Sequence, residues 1–338
     1  MKNEYTRRKF IETTLGAGIA IAGVRIAPSY ASGSADGNET ANNQYDQKGL
    51  PTSVLGKTGV VIPRIAIGLG SRFCNIPTLD EAIEMLNYAL DNGLYYWDTA
   101  HDYVNETTGA VSEERLGHVV KYRRKEIFLS TKIAARDPEK AKIQIEESLK
   151  RLQTDHVDML KIHSVESPDD VNDICKRGGV LDLISKSKEE GITRFIGFSG
   201  HGNAQALKAM ADTGRFDSML FAMNHYGDNK ENRQGTLIMA AKLKGMGVML
   251  MKTVRPKETI QGIDPKELVR FALSLDGPDG IAVGMDSKKV VDSNLDLLRN
   301  FKQMSSEEKL KYAMILSPYF RHENLEWMRS GYHDGYWG

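Results

Sequence analysis

Cysteine is nearly absent: the chain has two, Cys74 and Cys175, in 338 residues. Two thiols cannot build a disulfide scaffold or hold a metal–sulfur cluster, so both are expected to be unpaired and mostly buried. Neither sign of charge is in excess. Lysine plus arginine and aspartate plus glutamate each total 45, which points away from nucleic acid as a partner and away from an acidic solvating tail. No apolar run is long enough to remain in a membrane. Leu15 to Ala27 is short, rich in glycine and broken by Arg25, whereas a permanent span needs roughly 20 apolar residues. The glycine-rich turn of a dinucleotide-binding open sheet is missing too. Gly68-Leu69-Gly70-Ser71-Arg72-Phe73 lacks the third glycine of G-x-G-x-x-G, which argues against a doubly wound fold.

What is present begins with Thr6-Arg7-Arg8-Lys9-Phe10-Ile11 before that apolar run, and Ser29-Tyr30-Ala31 after it as a small-residue cleavage site. Residues 1–31 are expected to be a secretory signal of twin-arginine type, read by export machinery, with the protein periplasmic or otherwise exported. Residues 32–49 are polar and poor in hydrophobics and are expected to be a flexible linker. Residues 50–300 carry the repeating pattern described next. Residues 301–338 are expected to form a helix and an aromatic tail, which either folds over the working rim of the domain or packs on its outside.

The stretch Tyr95 to Lys132 sets the pattern. Two short β-rich runs each end on a reactive polar residue, Asp98 and Lys132, with Tyr103 and a helix opening at Ser112 between them. Comparable apolar runs end near residues 70, 163, 199, 224, 252 and 284, so eight strand ends recur every 25 to 36 residues with helical segments between. Thr78 with Glu81 forms a capping box, and Asp137-Pro138 places a cap before a first-turn proline. Eight β/α units of near-equal length mean one (β/α)8 TIM barrel of the α/β class, with polar strand ends gathered at one rim. Ser53 to Ile62 reads as a β-hairpin that plugs the other end.

Asp98, Tyr103 and Lys132 are a carboxylate, a phenol and an ammonium, a set that can move a proton at neutral pH. The ammonium is expected to favour the phenolate and make the phenol a better acid. These residues also carry a resemblance. Asp98-Thr99-Ala100-His101-Asp102-Tyr103, Ser112-Glu113-x-x-Leu116-Gly117, Ser130-Thr131-Lys132 and Ile162-His163-Ser164 resemble, in order, the signature blocks of the aldo-keto reductases. The aspartate-to-tyrosine and tyrosine-to-lysine spacings of 5 and 29 residues fit that family.

The resemblance implies a nicotinamide-dependent barrel enzyme acting on a small carbonyl or sugar substrate. Tyr103 would be the general acid, Lys132 its electrostatic partner, Asp98 the residue orienting Lys132, and His163 a hydrogen bond to the carbonyl oxygen. It further implies cofactor contacts from Gly70, Ser71, Arg72, Ser199, Asn224, Lys252, Gly284, Asp286, Lys288 and Asn294. Gly200, Leu220 and Val290 depart from the family pattern, standing where asparagine, glutamine and arginine are frequent. NADP is favoured over NAD on Lys288 or Lys289, which could meet a 2′-phosphate as point charges. Some relatives carry a C-terminal iron–sulfur module, which a chain without cysteine after Cys175 cannot form. Two other readings stand beside this one: a metal-dependent isomerase or lyase using His101, Asp102 and His163, and a cofactor-binding sensor subunit with little turnover.

Overall fold

A computed structural model describes residues 44–223, 234–254 and 262–319, with Leu325, Trp327, Tyr332 and Asp334 of the C-terminal segment. The expected signal and most of the linker lie outside the described residues, as does Asn224. Eight parallel strands close into a barrel in the order β10-β11-β12-β3-β4-β7-β8-β9. They are β3 (Ile65–Gly68), β4 (Tyr96–Asp98), β7 (Phe128–Ile133), β8 (Val157–Ile162), β9 (Thr193–Gly200), β10 (Ser218–Ala222), β11 (Gly247–Met251) and β12 (Gly280–Gly284). These strands read as apolar runs because both faces are covered, by the barrel interior on one side and by helices on the other.

The helices start where local chemistry lets them. Thr78 and Glu81 form the capping box ahead of Leu79–Asp91. Asp137 accepts from the Lys140 amide ahead of Pro138–Leu152, and Ser287 accepts from the Val290 amide ahead of Lys288–Arg299. Each cap satisfies an amide that the first turn leaves without a partner.

Two further strands, β1 (Thr52–Val54) and β2 (Val61–Pro63), pair antiparallel around a 3-10 turn at Gly56–Thr58. This hairpin seals the end of the barrel where the strands begin. The Lys57 amide donates to the Gly245 carbonyl, and Leu55 is fully buried against Gly247. A Cβ on Gly56 would sit 2.3 Å from the Gly247 nitrogen, so only glycine permits that approach.

Three elements depart from the sequence expectation. Helix Pro168–Cys175, capped by Ser167, lies in what reads as a plain connection. It has eight residues and buries only Ile174, too little apolar repeat to announce a helix. A two-residue pair, β5 (Val104–Asn105) with β6 (Ala110–Val111), fills the connection after Tyr103. The helical segment expected between the strand ends near residues 224 and 252 contains a π-turn, Gln234–Ile238, running into a short α-helix, Met239–Leu243. Cys74 and Cys175 are both free thiols, the first buried and the second half-buried. No helix among the described residues is long and apolar enough to cross a membrane.

Candidate active site

Strand alternation brings the polar residues together. Asp98 on β4 pairs in register with Ser130 on β7, and Lys132 two positions on points the same way. The β7–β8 register then sets Lys161 directly beside Lys132. Two ammonium groups side by side repel, and Asp98 resolves the conflict by taking both. Its Oδ2 lies 2.7 Å from Lys132 Nζ and its Oδ1 lies 2.5 Å from Lys161 Nζ. Each lysine then uses its remaining donors locally. Lys132 donates to the Thr99 carbonyl at 2.7 Å and to Tyr103 Oη at 3.2 Å. Lys161 donates to Ser130 Oγ at 2.9 Å and to Tyr96 Oη at 3.3 Å. All three donors of each ammonium are spent, which is what burying a charge requires.

The electrostatics follow from burial and pairing. Burial acts to raise the Asp98 pKa, but the two lysines outweigh it and hold the carboxyl near about 2. Burial pulls the Lys132 ammonium down, with Lys161 adding to the pull and Asp98 opposing it. His163 is also buried, which disfavours its charge, yet Asp102 at 2.9 Å from Nδ1 lifts its pKa above the ordinary value.

The phenol departs from the sequence expectation. Burial comes first and the carboxylate of Asp334 second in driving the Tyr103 pKa well above its usual value, so Lys132 does not leave it acidified in this arrangement. Tyr103 Oη donates to Asp334 Oδ2 at 2.7 Å, and His163 Nε2 lies 3.2 Å from the same oxygen. The C-terminal segment thus reaches over the rim, the first of the two dispositions that the sequence left open. Asp334 and Lys161 are the residues that sequence reasoning missed, while Tyr332 belongs to the aromatic tail that it expected. Lys161 had a signal: it stands two residues before His163 inside an apolar strand, hence on the same face. Asp334, 231 residues from Tyr103, had none.

Asp98, Tyr103, Lys132 and His163 therefore meet at the end of the barrel where the strands finish. The chain belongs to the aldo/keto reductase family. The family's model matches residues 65–256, more than half of the sequence. L-galactose dehydrogenase of Arabidopsis thaliana is 30% identical over 210 residues, 58% of this chain and 62% of that protein. An uncharacterised oxidoreductase, YrpG of Bacillus subtilis, is 26% identical over 215 residues, 58% of this chain and 64% of that one. The matched stretch thus spans less than two thirds of these curated relatives. Among solved structures, an aldo-keto reductase from Bacillus halodurans in its holo form aligns with a TM-score of 0.65 at 18% identity, covering 79% of this chain and 96% of that one. One from Klebsiella pneumoniae, in complex with NADPH, aligns with a TM-score of 0.62 at 19% identity, covering 80% and 97%. These alignments speak for the fold.

The remaining candidate residues are dispersed around the aldo/keto reductase rim. Gly70 lies against the Tyr103 ring, where a Cβ would approach Cε2 at 3.2 Å, and Ser71 opens the short helix Ser71–Cys74. Arg72 pairs with Asp286 at 2.7 Å beside Gly284, whose missing Cβ leaves room for the Arg72 side chain. Lys288 pairs with Glu84 and lies over the Tyr88 ring, and no acidic residue stands in the first turn of its helix. An arginine, bare glycine backbone and an acid-free helix start suit the phosphates of a dinucleotide. Ser199 is fully buried and its Oγ accepts from the Ser164 amide at 3.2 Å. Gly200 has no room for the family's asparagine, since a Cβ would meet Leu207 Cδ2 at 2.4 Å. Asn294 donates from its amide nitrogen to the Val290 carbonyl of its own helix at 2.8 Å, which leaves its second N–H and its carbonyl oxygen for other partners. Lys252 turns to Asp334 and Tyr332, each at 2.6 Å.

The metal reading needs His101, Asp102 and His163 to converge on one ion. His101 instead pairs with Glu147 at 2.7 Å on an outer helix, and Asp102 with His163. No group of three or more His, Cys, Asp or Glu side chains among the described residues could hold a metal ion.

Proposed function

We propose that the protein interconverts a carbonyl and an alcohol with a nicotinamide cofactor, Tyr103 serving as general acid and base. One observation carries this: the Lys132 ammonium bridges the Asp98 carboxylate and the Tyr103 hydroxyl, at 2.7 and 3.2 Å, with His163 converging on the same point. Arg72, the Gly284 backbone and the start of the Lys288 helix would hold the dinucleotide. When bound, the reduced nicotinamide supplies a hydride to a carbonyl carbon.

The protein's own residues handle the oxygen. Tyr103 Oη and His163 Nε2 hold it, and Tyr103 gives it a proton as negative charge builds. Lys132 then faces a phenolate, and its ammonium offsets that charge at short range in a site closed to water. Asp98 keeps Lys132 in place and charged. Lys161 keeps Asp98 from cancelling Lys132 fully, since one carboxylate is shared between two cations. In the alcohol-to-carbonyl direction the same phenol takes the proton back.

NADP(H) is the cofactor we favour over NAD(H). Lys288 and Lys289 at a helix start support this, as does the NADPH complex of the Klebsiella pneumoniae neighbour. Replacing Tyr103 by Phe should lower turnover of a carbonyl panel by roughly 10²–10⁴-fold, while quenching of tryptophan fluorescence by NADPH persists. Loss of binding with turnover retained would contradict the assignment. We further infer that residues 1–31 direct export. The paired arginines before a short apolar run support it, and fractionation of cells should find the protein outside the cytoplasm. An exported enzyme has little free nucleotide to draw on, so NADP(H) should copurify with it and be detectable by mass spectrometry.

A further inference from the structure

The point between Tyr103 Oη and His163 Nε2, where the proposed reaction needs a carbonyl oxygen, is filled by the protein itself. Asp334 Oδ2 sits there, at 2.7 and 3.2 Å. Its other oxygen, Oδ1, lies 2.6 Å from Lys252 Nζ, 3.0 Å from Tyr332 Oη and 3.5 Å from His201 Nε2. Tail and substrate therefore compete for one place.

The groups around Oδ1 differ in what happens when the tail leaves. Tyr332 goes with Asp334, two residues away. Lys252 stays: it directly follows strand β11 with a backbone φ of +61°, a conformation that a residue with a side chain keeps only where its surroundings impose it. His201 stays as well, fully buried just beyond β9, and burial depresses its pKa to about 4, so at neutral pH it adds no charge. What remains is an oxygen-binding pair beside an ammonium that has lost its counter-ion. The Lys252 side chain is 22% accessible even with Asp334 in place, so its ammonium stays charged and still attracts an anion at short range. A neutral carbonyl compound gains nothing from that attraction; one that brings its own carboxylate does.

We propose that Asp334 stands in for a substrate carboxylate, and that the site takes a 2-oxo acid or the corresponding 2-hydroxy acid. The keto oxygen lies between Tyr103 and His163, the carboxylate lies on Lys252, and the tail is displaced. This rests on the carbonyl-reductase reading and names its substrate class. The chemistry balances as for any carbonyl reduction: the keto carbon gains a hydride with its two electrons, the oxygen gains the Tyr103 proton, and the carboxylate is unchanged. The tail lowers the apparent affinity of every ligand by the fraction of molecules closed, and Lys252 makes the site selective, because only a ligand with its own carboxylate replaces the Asp334 charge beside it.

Calorimetric titration of the full chain with NADP(H) present tests this, using oxamate, a non-reducible isostere of a 2-oxo acid, and oxamide, its uncharged counterpart. Asp334→Ala should bind both ligands more tightly by a similar factor, and should bind oxamate roughly tenfold or more tighter than oxamide, the scale of one charge contact. Adding Lys252→Met should remove the difference. Asp334→Asn keeps the shape and should shift in the same direction if the alanine variant does not fold. Equal affinities of Asp334→Ala for the two ligands would show that no carboxylate is read at Lys252, and no gain for either over the unaltered protein would put Asp334 outside the ligand's place; both results overturn the proposal. Binding is read without turnover. Oxamate binding with no reduction of any carbonyl would therefore sink the reductase reading alone, and turnover of neutral carbonyls without oxamate binding would sink this inference alone.

Discussion

Two buried carboxylates, each held by two cations, stand at opposite ends of the same barrel. Asp98 at the finishing end of the strands is held by Lys132 and Lys161. Asp158 at the starting end is held by Arg124 at 2.9 Å and Arg194 at 2.7 Å, with the Leu129 amide and Tyr45 Oη completing its shell. The difference is in the cations. Guanidinium groups keep their charge at any working pH and lock a carboxylate in a fixed fork, whereas ammonium groups respond to burial and can share or shift protons. The arginine end fastens the strands and the Tyr45 segment; the lysine end holds chemistry. A carboxylate's neighbours, more than its burial, tell the two roles apart.

The sharpest way to break this contrast is to exchange the consequences. Lys132→Met should cut kcat by roughly 10²–10⁴-fold, with Asp98 still paired to Lys161 and the unfolding midpoint little changed. Steady-state kinetics beside a urea melt checks both halves. Asp158→Asn should do the reverse, costing about 3–5 kcal/mol of stability by leaving two guanidinium groups short of charge, with kcat per folded molecule preserved.

The next effect is in acid. Asp98 titrates near about 2 in the fold against an ordinary 3.8. A depressed carboxyl contributes stability that is fully present above its ordinary value and is lost as pH falls through the folded one. The contribution is on the order of 2 kcal/mol, and its window runs from about pH 4 to about pH 2. Denaturant midpoints across that range should fall less steeply in Asp98→Asn than in the unaltered protein.

Lys161→Met should act on pH rather than on rate at the optimum. Lys161 lowers the Lys132 pKa, so its removal should move the alkaline limb of the kcat profile upward. A limb that stays put or moves down would show that Lys161 does not act through Lys132. The smallest effect belongs to Gly70→Ala. The added Cβ would press the Tyr103 ring at 3.2 Å, and a few tenths of an ångström of tilt should lower kcat several-fold through misalignment without a change in melting temperature.

Much of the barrel was legible because its strands are short apolar runs recurring at near-regular spacing, interrupted by caps and turn residues whose preferences are local. The Thr78 box and the Asp137 and Ser287 caps each close within three residues. The helix Pro168–Cys175 was not legible because it buries one side chain, and the pair β5–β6 because two residues a strand carry no period. At the site, Asp98, Tyr103 and Lys132 could be picked out as polar ends of apolar runs. The acidity of Tyr103 could not, because burial of the phenol, and after it the charge of Asp334 arriving from the far end of the chain, raises its pKa.

The sequence by itself determined the eight-fold alternation, the polar strand ends and the family blocks, since each depends on residues within a few positions of one another. Only the tertiary structure decided that Lys161 shares Asp98 with Lys132, that Asp158 is an arginine-held fastening, and that Asp334 sits on Tyr103. Those three facts are pairings of charges across strands and across the length of the chain. Electrostatic energy depends on distance in space, which spacing along the chain does not fix.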